Sequence, residues 1–215
     1  MSSFYGRVLA DIHDSDFAFV ARAAAATAMS LLPPPAQSGI IVDLGCGSGV
    51  TAEILDEAGY SVVGIDASPD MIAIARGRVP DGDFITSSIY EADIPDCQAV
   101  LAIGEVFNYS SDERTDASLA ALLRKIAVSL RTDGFLLCDV AGPGRATATP
   151  AVQDASGDDW TMHVTATEDQ ARHWKHDDHD AECQPRPVDG RSGQEQDRHE
   201  EDAQVARRRH ALFVH

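Results

Sequence analysis

Positive charge is scarce in this 215-residue sequence, where 17 Lys and Arg stand against 35 Asp and Glu and leave a formal charge of −18. Nucleic-acid affinity comes largely from cations that neutralise phosphates, so a DNA or RNA partner is disfavoured. Adhesion to an anionic membrane surface is disfavoured for the same reason. Long apolar runs are also missing: none approaches the roughly 18 residues that a membrane span requires. The most apolar early stretch, residues 17–32, carries Arg22 and follows Asp11, Asp14 and Asp16, where a secretory signal would be positive. No signal peptide is expected. Paired cysteines are lacking too, since Cys46, Cys97, Cys138 and Cys183 form no C-x-x-C motif and read as reduced thiols of a cytoplasmic protein. Finally, no Leu, Ile, Phe, Met or Tyr occurs between Glu168 and His210. Such a stretch buries too little apolar area to offset the cost of ordering its backbone, so residues 171–215 are expected to form a polar, disordered tail.

What remains before that tail suits one α/β domain over residues 1–170. Residues 15–32 are rich in Ala and Leu and stop at Pro33, Pro34 and Pro35, which predicts a helix and a stiff break. "GIIVDLG" is a short β-branched run without alternation, as in a strand buried on both faces of a parallel sheet. Strand, turn and helix then repeat. A helix from Val50 ends at Gly59, and "YSVVGID" is a second strand closing at Asp66. Ser68, Pro69 and Asp70 supply a cap, a first-turn proline and an acid for the next helix. "DFITSSI" and "CQAVLAIGEVFNY" contain the third and fourth strands, Leu119 to Leu130 line one face of a helix, and "DGFLLCDVAG" holds the fifth strand. The expected fold is a doubly wound, mostly parallel sheet with flanking helices and incomplete C-terminal strands. Beyond it, "WTMHVTAT" alternates like a half-buried antiparallel strand.

The glycines of "VDLGCGSG" sit between a buried strand and a helix start, where backbone N–H groups and the positive helix end face whatever binds. A dinucleotide fingerprint, G-x-G-x-x-G, requires glycine where Val50 stands, which argues against a nicotinamide oxidoreductase. The segment resembles motif I, D-x-G-x-G-x-G, of the class I S-adenosylmethionine-dependent methyltransferases. Asp66, seventeen residues after Gly49, matches the family's ribose-binding acid. The likeness runs over roughly residues 4 to 170. It implies that S-adenosylmethionine is the cofactor, with Asp43 accepting from its amino group directly or through water, Gly45 and Gly47 giving it room, and Cys46 and Gly49 among the residues that bind it. It also places Asp66 and Ala67 at the ribose, Ser88 and Ile89 in the loop beside the adenine, and Gly104 at the end of the fourth strand. "GEVFNY" is similar to the G-E-x-x-N-Y of one branch of small bacterial members.

A sulfonium donor is already activated, so alignment and exclusion of water are the main tasks, and a general base helps only where the acceptor must lose a proton. Candidates are Glu105, His13 and Tyr109, with Asn108 lining the site. The acceptor is expected to be a small molecule. The chain after Val140 lacks the helix and antiparallel pair found in similar enzymes, which leaves the edge of the fifth strand open. His173, His176, His179 and Cys183 match no standard zinc spacing, so no metal site is expected. The abrupt change after about Ala171 points to a shifted reading frame or another disruption, which keeps open a second reading: an inactive, cofactor-binding homologue.

Overall fold

The computed structural model describes residues 10–11, 14, 18–109 and 116–141, together with strand backbones at 151–156, 160–168, 174–183 and 212–214. The short apolar runs form strands β1 (Ile40–Leu44), β2 (Val62–Asp66), β3 (Asp83–Thr86), β4 (Cys97–Ala102) and β5 (Leu130–Asp139). Helix α1 (Ala18–Leu31) precedes β1, and helices α2 (Val50–Glu57), α3 (Pro69–Arg78) and α4 (Asp116–Ser129) follow β1, β2 and β4 in the chain. The order across the sheet is β3-β2-β1-β4-β5, all parallel, so the chain winds outward from β1 in one direction and then from β4 in the other. The switch point therefore falls between β1 and β4, where ligands of such sheets bind at the carboxyl ends of the strands.

Burial on both faces explains why the strands show no alternation. Ile41, Ala99, Leu101 and Leu137 pack with Ala28 of α1 and Leu55 of α2. Val42, Leu44, Ile65, Val100 and Ala102 pack with Leu122 and Ile126 of α4 on the opposite face. A third cluster joins Cys46, Ala52, Ile72, Ala75 and Phe84 between α2 and α3. Helix α3 begins as expected: Ser68 Oγ accepts from the Met71 amide at 3.2 Å and Pro69 occupies the first turn.

Three features differ from the sequence-based expectation. Leu130, placed on the helical face, is the first residue of β5: it pairs with Cys97, and the ladder then shifts register so that Ala99 faces Phe135. Gly134 sits at this irregularity, where an added Cβ would lie 2.8 Å from the Gln98 carbonyl oxygen and only a glycine fits. Next, the expected disorder from residue 171 does not hold throughout. Strands β6 (Ala151–Ser156), β7 (Trp160–Glu168) and β8 (Trp174–Cys183) form a separate antiparallel sheet in the order β6-β7-β8. The alternating β7 was legible; β8 was not, because a strand ladder is made of backbone groups and a polar sequence can extend it once a template strand exists. Third, the edge of β5 is covered: β9 (Leu212–Val214), where apolar residues return at the end of the sequence, pairs antiparallel with Leu137, Cys138 and Asp139. The main sheet thus has six strands, five of them parallel.

Candidate functional site

The loop between β1 and α2 folds back onto β2, with the amides of Gly45 and Cys46 both donating to the Ile65 carbonyl, at 2.7 and 3.1 Å. Gly45, Gly47 and Gly49 all have positive φ, at 69°, 53° and 81°, a region that side chains disfavour. Beyond this shared need, their surroundings differ. A Cβ on Gly45 would lie 2.5 Å from Val106 Cγ2, so the absence of a side chain lets the loop after β4 pack over the glycine loop. A Cβ on Gly49 would lie 2.9 Å from Ala75 Cβ and 3.1 Å from Ala75 Cα, so this glycine permits close packing of α2 on α3. At Gly47 only Met71 Sδ stands within range, at 3.9 Å, and that side of the loop is open.

Asp66 lies under the loop. Its Oδ2 accepts from the Gly47 amide at 2.9 Å and its Oδ1 from the Ser68 amide at 2.8 Å. Burial raises its pKa, and these two amide bonds work in the opposite direction. Asp43, 2% exposed near the end of β1, is pushed up to about 7, first by burial and then by the charge of Asp66. Cys46 is buried as well; burial and then the charges of Asp43 and Asp66 raise its thiol well above the usual range, so it stays protonated and is no nucleophile. Helix α2 starts at Gly49 with no side-chain cap, in contrast to α3 with Ser68, so its first amides are left to a ligand or solvent.

The loop after β4 forms the facing wall. Glu105, 4% exposed, has φ 59° and ψ 32°, the only positive φ at a residue other than glycine among the described residues. Asp139, at the end of β5, holds this turn: its Oδ1 accepts from the amides of both Gly104 and Glu105, at 2.8 and 3.0 Å. Asn108 is equally engaged, donating from Nδ2 to the Ala141 carbonyl at 3.2 Å and accepting at Oδ1 from the Ala141 amide at 2.8 Å. Its amide group thus fastens the chain beyond β5. Asp139 was not singled out from sequence, and the signal available was slight: an acid ending an apolar strand. Replacing it with Ala leaves two inward amides without this acceptor, and we expect a loss of about 2–4 kcal/mol in stability by chemical denaturation. Asp139→Asn, which keeps an acceptor oxygen, should lose less than half as much.

The other expected site residues divide. Ala67 is exposed beside Asp66, and Gly104 has open space where a side chain would be. Ser88 starts a turn, its Oγ accepting from the Tyr90 amide at 3.3 Å and its carbonyl from the amides of Glu91 and Ala92. Ile89 packs into the core cluster with Val42 and Leu44 and is 9% exposed. Tyr109 is partly buried just beyond the short 3-10 turn Val106–Asn108. His13 lies outside the described residues, as do His173 and the side chains of His176, His179 and Cys183. Among the described residues no helix is long and apolar enough to cross a membrane.

Comparison with known proteins agrees with this geometry. A family model described as a methyltransferase domain matches residues 41–134. Trans-aconitate 2-methyltransferase of Rhodopseudomonas palustris (strain HaA2) is 37% identical over 81 residues, covering 37% of this chain and 32% of the relative. The 18S rRNA (guanine-N(7))-methyltransferase of Mus musculus is 40% identical over 52 residues, covering 24% of this chain and 18% of the relative. The chain thus spans a third or less of the length of these curated relatives. Among solved structures, CalS10, an amino pentose methyltransferase from Micromonospora echinaspora with S-adenosylmethionine bound, superposes with a TM-score of 0.62 at 18% identity over 100% of this chain and 98% of that one. DesVI of Streptomyces venezuelae gives 0.64 at 17% identity over 98% of each chain. At these identities the structural likeness speaks for the fold alone. Residues 41–134 are thus similar to a methyltransferase domain, and the sheet order and the fold shared with these structures agree with that match.

Proposed function

We propose that this chain transfers a methyl group from S-adenosylmethionine to a small-molecule acceptor. The observation that carries this reading is the pair of carboxyls under the glycine loop, Asp66 bonded to the Gly47 amide and Asp43 buried with its pKa raised. Such a site fits a ligand that brings an ammonium group and ribose hydroxyls. The rise at Asp43 reflects burial and a like charge, which a cation placed beside it would offset. Each Asp66 oxygen, bonded once to an amide, keeps acceptor capacity for a hydroxyl. When bound, S-adenosylmethionine supplies a methyl group activated by the sulfonium.

The chain's own residues then bind, orient and exclude water. Gly47 leaves its open side for the ligand, while Gly45 and Gly49 let the walls close around it. Alignment of donor and acceptor lowers such a barrier by roughly 7–11 kcal/mol in favourable cases, so no covalent nucleophile is required. Where the acceptor is a hydroxyl or an ammonium, Glu105 and Tyr109, next to the end of β4, are the bases we assign, with His13 as a third candidate from the N-terminal segment. We place this function in residues 1–170 and assign no role to 171–215. The formal charge of −18 favours a small acceptor over RNA, although a relative acts on rRNA.

The test is methyl transfer by the full chain from radiolabelled S-adenosylmethionine to panels of amino sugars, polycarboxylates and RNA. Label in a small molecule supports the proposal, and label in RNA overturns the assignment of acceptor class. Binding of S-adenosylhomocysteine without turnover of any acceptor favours the inactive homologue.

A further inference from the structure

Arg78, the last residue of α3, turns back from its helix and holds three separate parts of the chain. Its Nε donates to the Ser48 carbonyl at 3.0 Å and its Nη1 to Glu53 Oε2 at 2.9 Å, while Nη2 forms an ion pair with Asp14. Ser48 lies between Gly47 and Gly49, and its carbonyl shares a rigid peptide plane with the Gly49 amide, which itself donates to the Cys46 carbonyl at 3.0 Å. Glu53 sits in the first turn of α2, and its amide bonds the Gly49 carbonyl at 2.8 Å. One guanidinium thus fixes the loop, the helix start behind it and a residue 64 positions earlier in the chain. The planar fork suits this task because its donors diverge in fixed directions; a lysine ammonium is a single point on a flexible stem.

We propose that Arg78 is a positioning residue that couples its contact with Asp14 to the ligand-holding shape of the glycine loop. Anything that strengthens the Arg78–Asp14 contact then favours the loop, and a ligand on the loop strengthens that contact, since coupling between two sites is reciprocal. This rests on the reading of the loop as the cofactor site. A bridge that only stabilised the fold would show no such reciprocity, and partly exposed ion pairs of this kind contribute little to stability by themselves.

The experiment titrates S-adenosylhomocysteine into the full-length protein and its Asp14→Asn, Arg78→Lys and doubly substituted variants, and follows hydrogen exchange of the peptide containing Asp14 with and without that ligand. Each single change should weaken affinity by about five- to tenfold, with the double variant no weaker than about the worse single one, as coupling of about this size implies. The ligand should slow exchange around Asp14 in the wild type but not in Arg78→Lys. Unchanged affinity in Asp14→Asn, weakenings that multiply, or ligand protection that persists in Arg78→Lys would overturn the coupling. Asp14→Asn alone decides the matter if the Arg78 variant does not fold. Wild-type protein that fails to bind removes the cofactor reading and this inference with it, an outcome separate from a wild type that binds and variants that bind equally.

Discussion

Gly47→Ala is expected to leave the fold intact and to weaken S-adenosylhomocysteine binding at least a hundredfold, whereas Gly49→Ala, two residues away, should destabilise the domain by about 2–5 kcal/mol. The two glycines look alike in sequence and share positive φ, at 53° and 81°. A left-handed alanine costs about 1–2 kcal/mol at either place. The difference lies in what the new methyl meets. At Gly47 it enters open space, with only Met71 Sδ at 3.9 Å, and so takes the volume we assign to the ligand. A hundredfold loss corresponds to about 2.7 kcal/mol. At Gly49 it lies 2.9 Å from Ala75 Cβ and 3.1 Å from Ala75 Cα, which forces α2 away from α3. Overpacking adds about 1–3 kcal/mol to the strain, a large share of the ~5–15 kcal/mol that holds a typical domain together. Thermal denaturation and calorimetric titration of both variants separate the effects. Undiminished affinity in Gly47→Ala would mean that the open side of the loop is not the ligand side.

The second large effect concerns Asp43, whose pKa is pushed up from 3.8 to about 7 by burial and then by the charge of Asp66. Because the folded pKa lies above the unfolded one, the native state binds the extra proton between these values. The stabilisation is full below pH 3.8 and is lost as pH rises through about 7. Asp43→Asn cannot ionise, so it should be more stable than the wild type at pH 8, by up to about 4 kcal/mol, and by little near pH 4. Ligand binding should run the other way. The cofactor's ammonium group favours the carboxylate, so S-adenosylhomocysteine affinity of the wild type should climb from pH 5.5 to about 7, by no more than about tenfold per unit, and then level off. In Asp43→Asn affinity should be low and flat across this range. Denaturation and titration at matched pH values check both halves; an Asp43→Asn protein less stable than the wild type at pH 8 would contradict the account. On this account the carboxyl lowers stability at neutral pH, where we assign it a part in binding.

What could be read from the sequence follows from range. The glycine loop, Asp66 and the Ser68-Pro69-Asp70 helix start are legible because each pattern is local: a bend, a strand end and a cap written within a few residues. The parallel sheet is legible because burial on both faces removes alternation from every central strand. Asp139 was missed because its role exists only once β4 and β5 lie side by side and bring the Gly104 amide within 2.8 Å, 35 residues away in sequence. Arg78 was missed for the same reason, its partners lying 25 to 64 positions away. The sequence reading grouped all three glycines of the loop as cofactor-binding, where the structure separates loop packing, helix packing and open space. The tail misled in the opposite direction, since composition speaks to side-chain burial while β8 and β9 are joined to their neighbours by backbone ladders.

The central claim is that the crevice between the loops after β1 and β4 holds S-adenosylmethionine, with Asp43 and Asp66 as its polar anchors. Isothermal titration of S-adenosylhomocysteine into the full-length protein, beside Asp66→Ala, tests it most directly. The account predicts saturable one-to-one binding by the wild type and a loss of at least about tenfold in the variant, as expected when hydrogen bonds to a charged group are removed. Absence of binding by a folded wild type, or equal affinity in the two proteins, would contradict it.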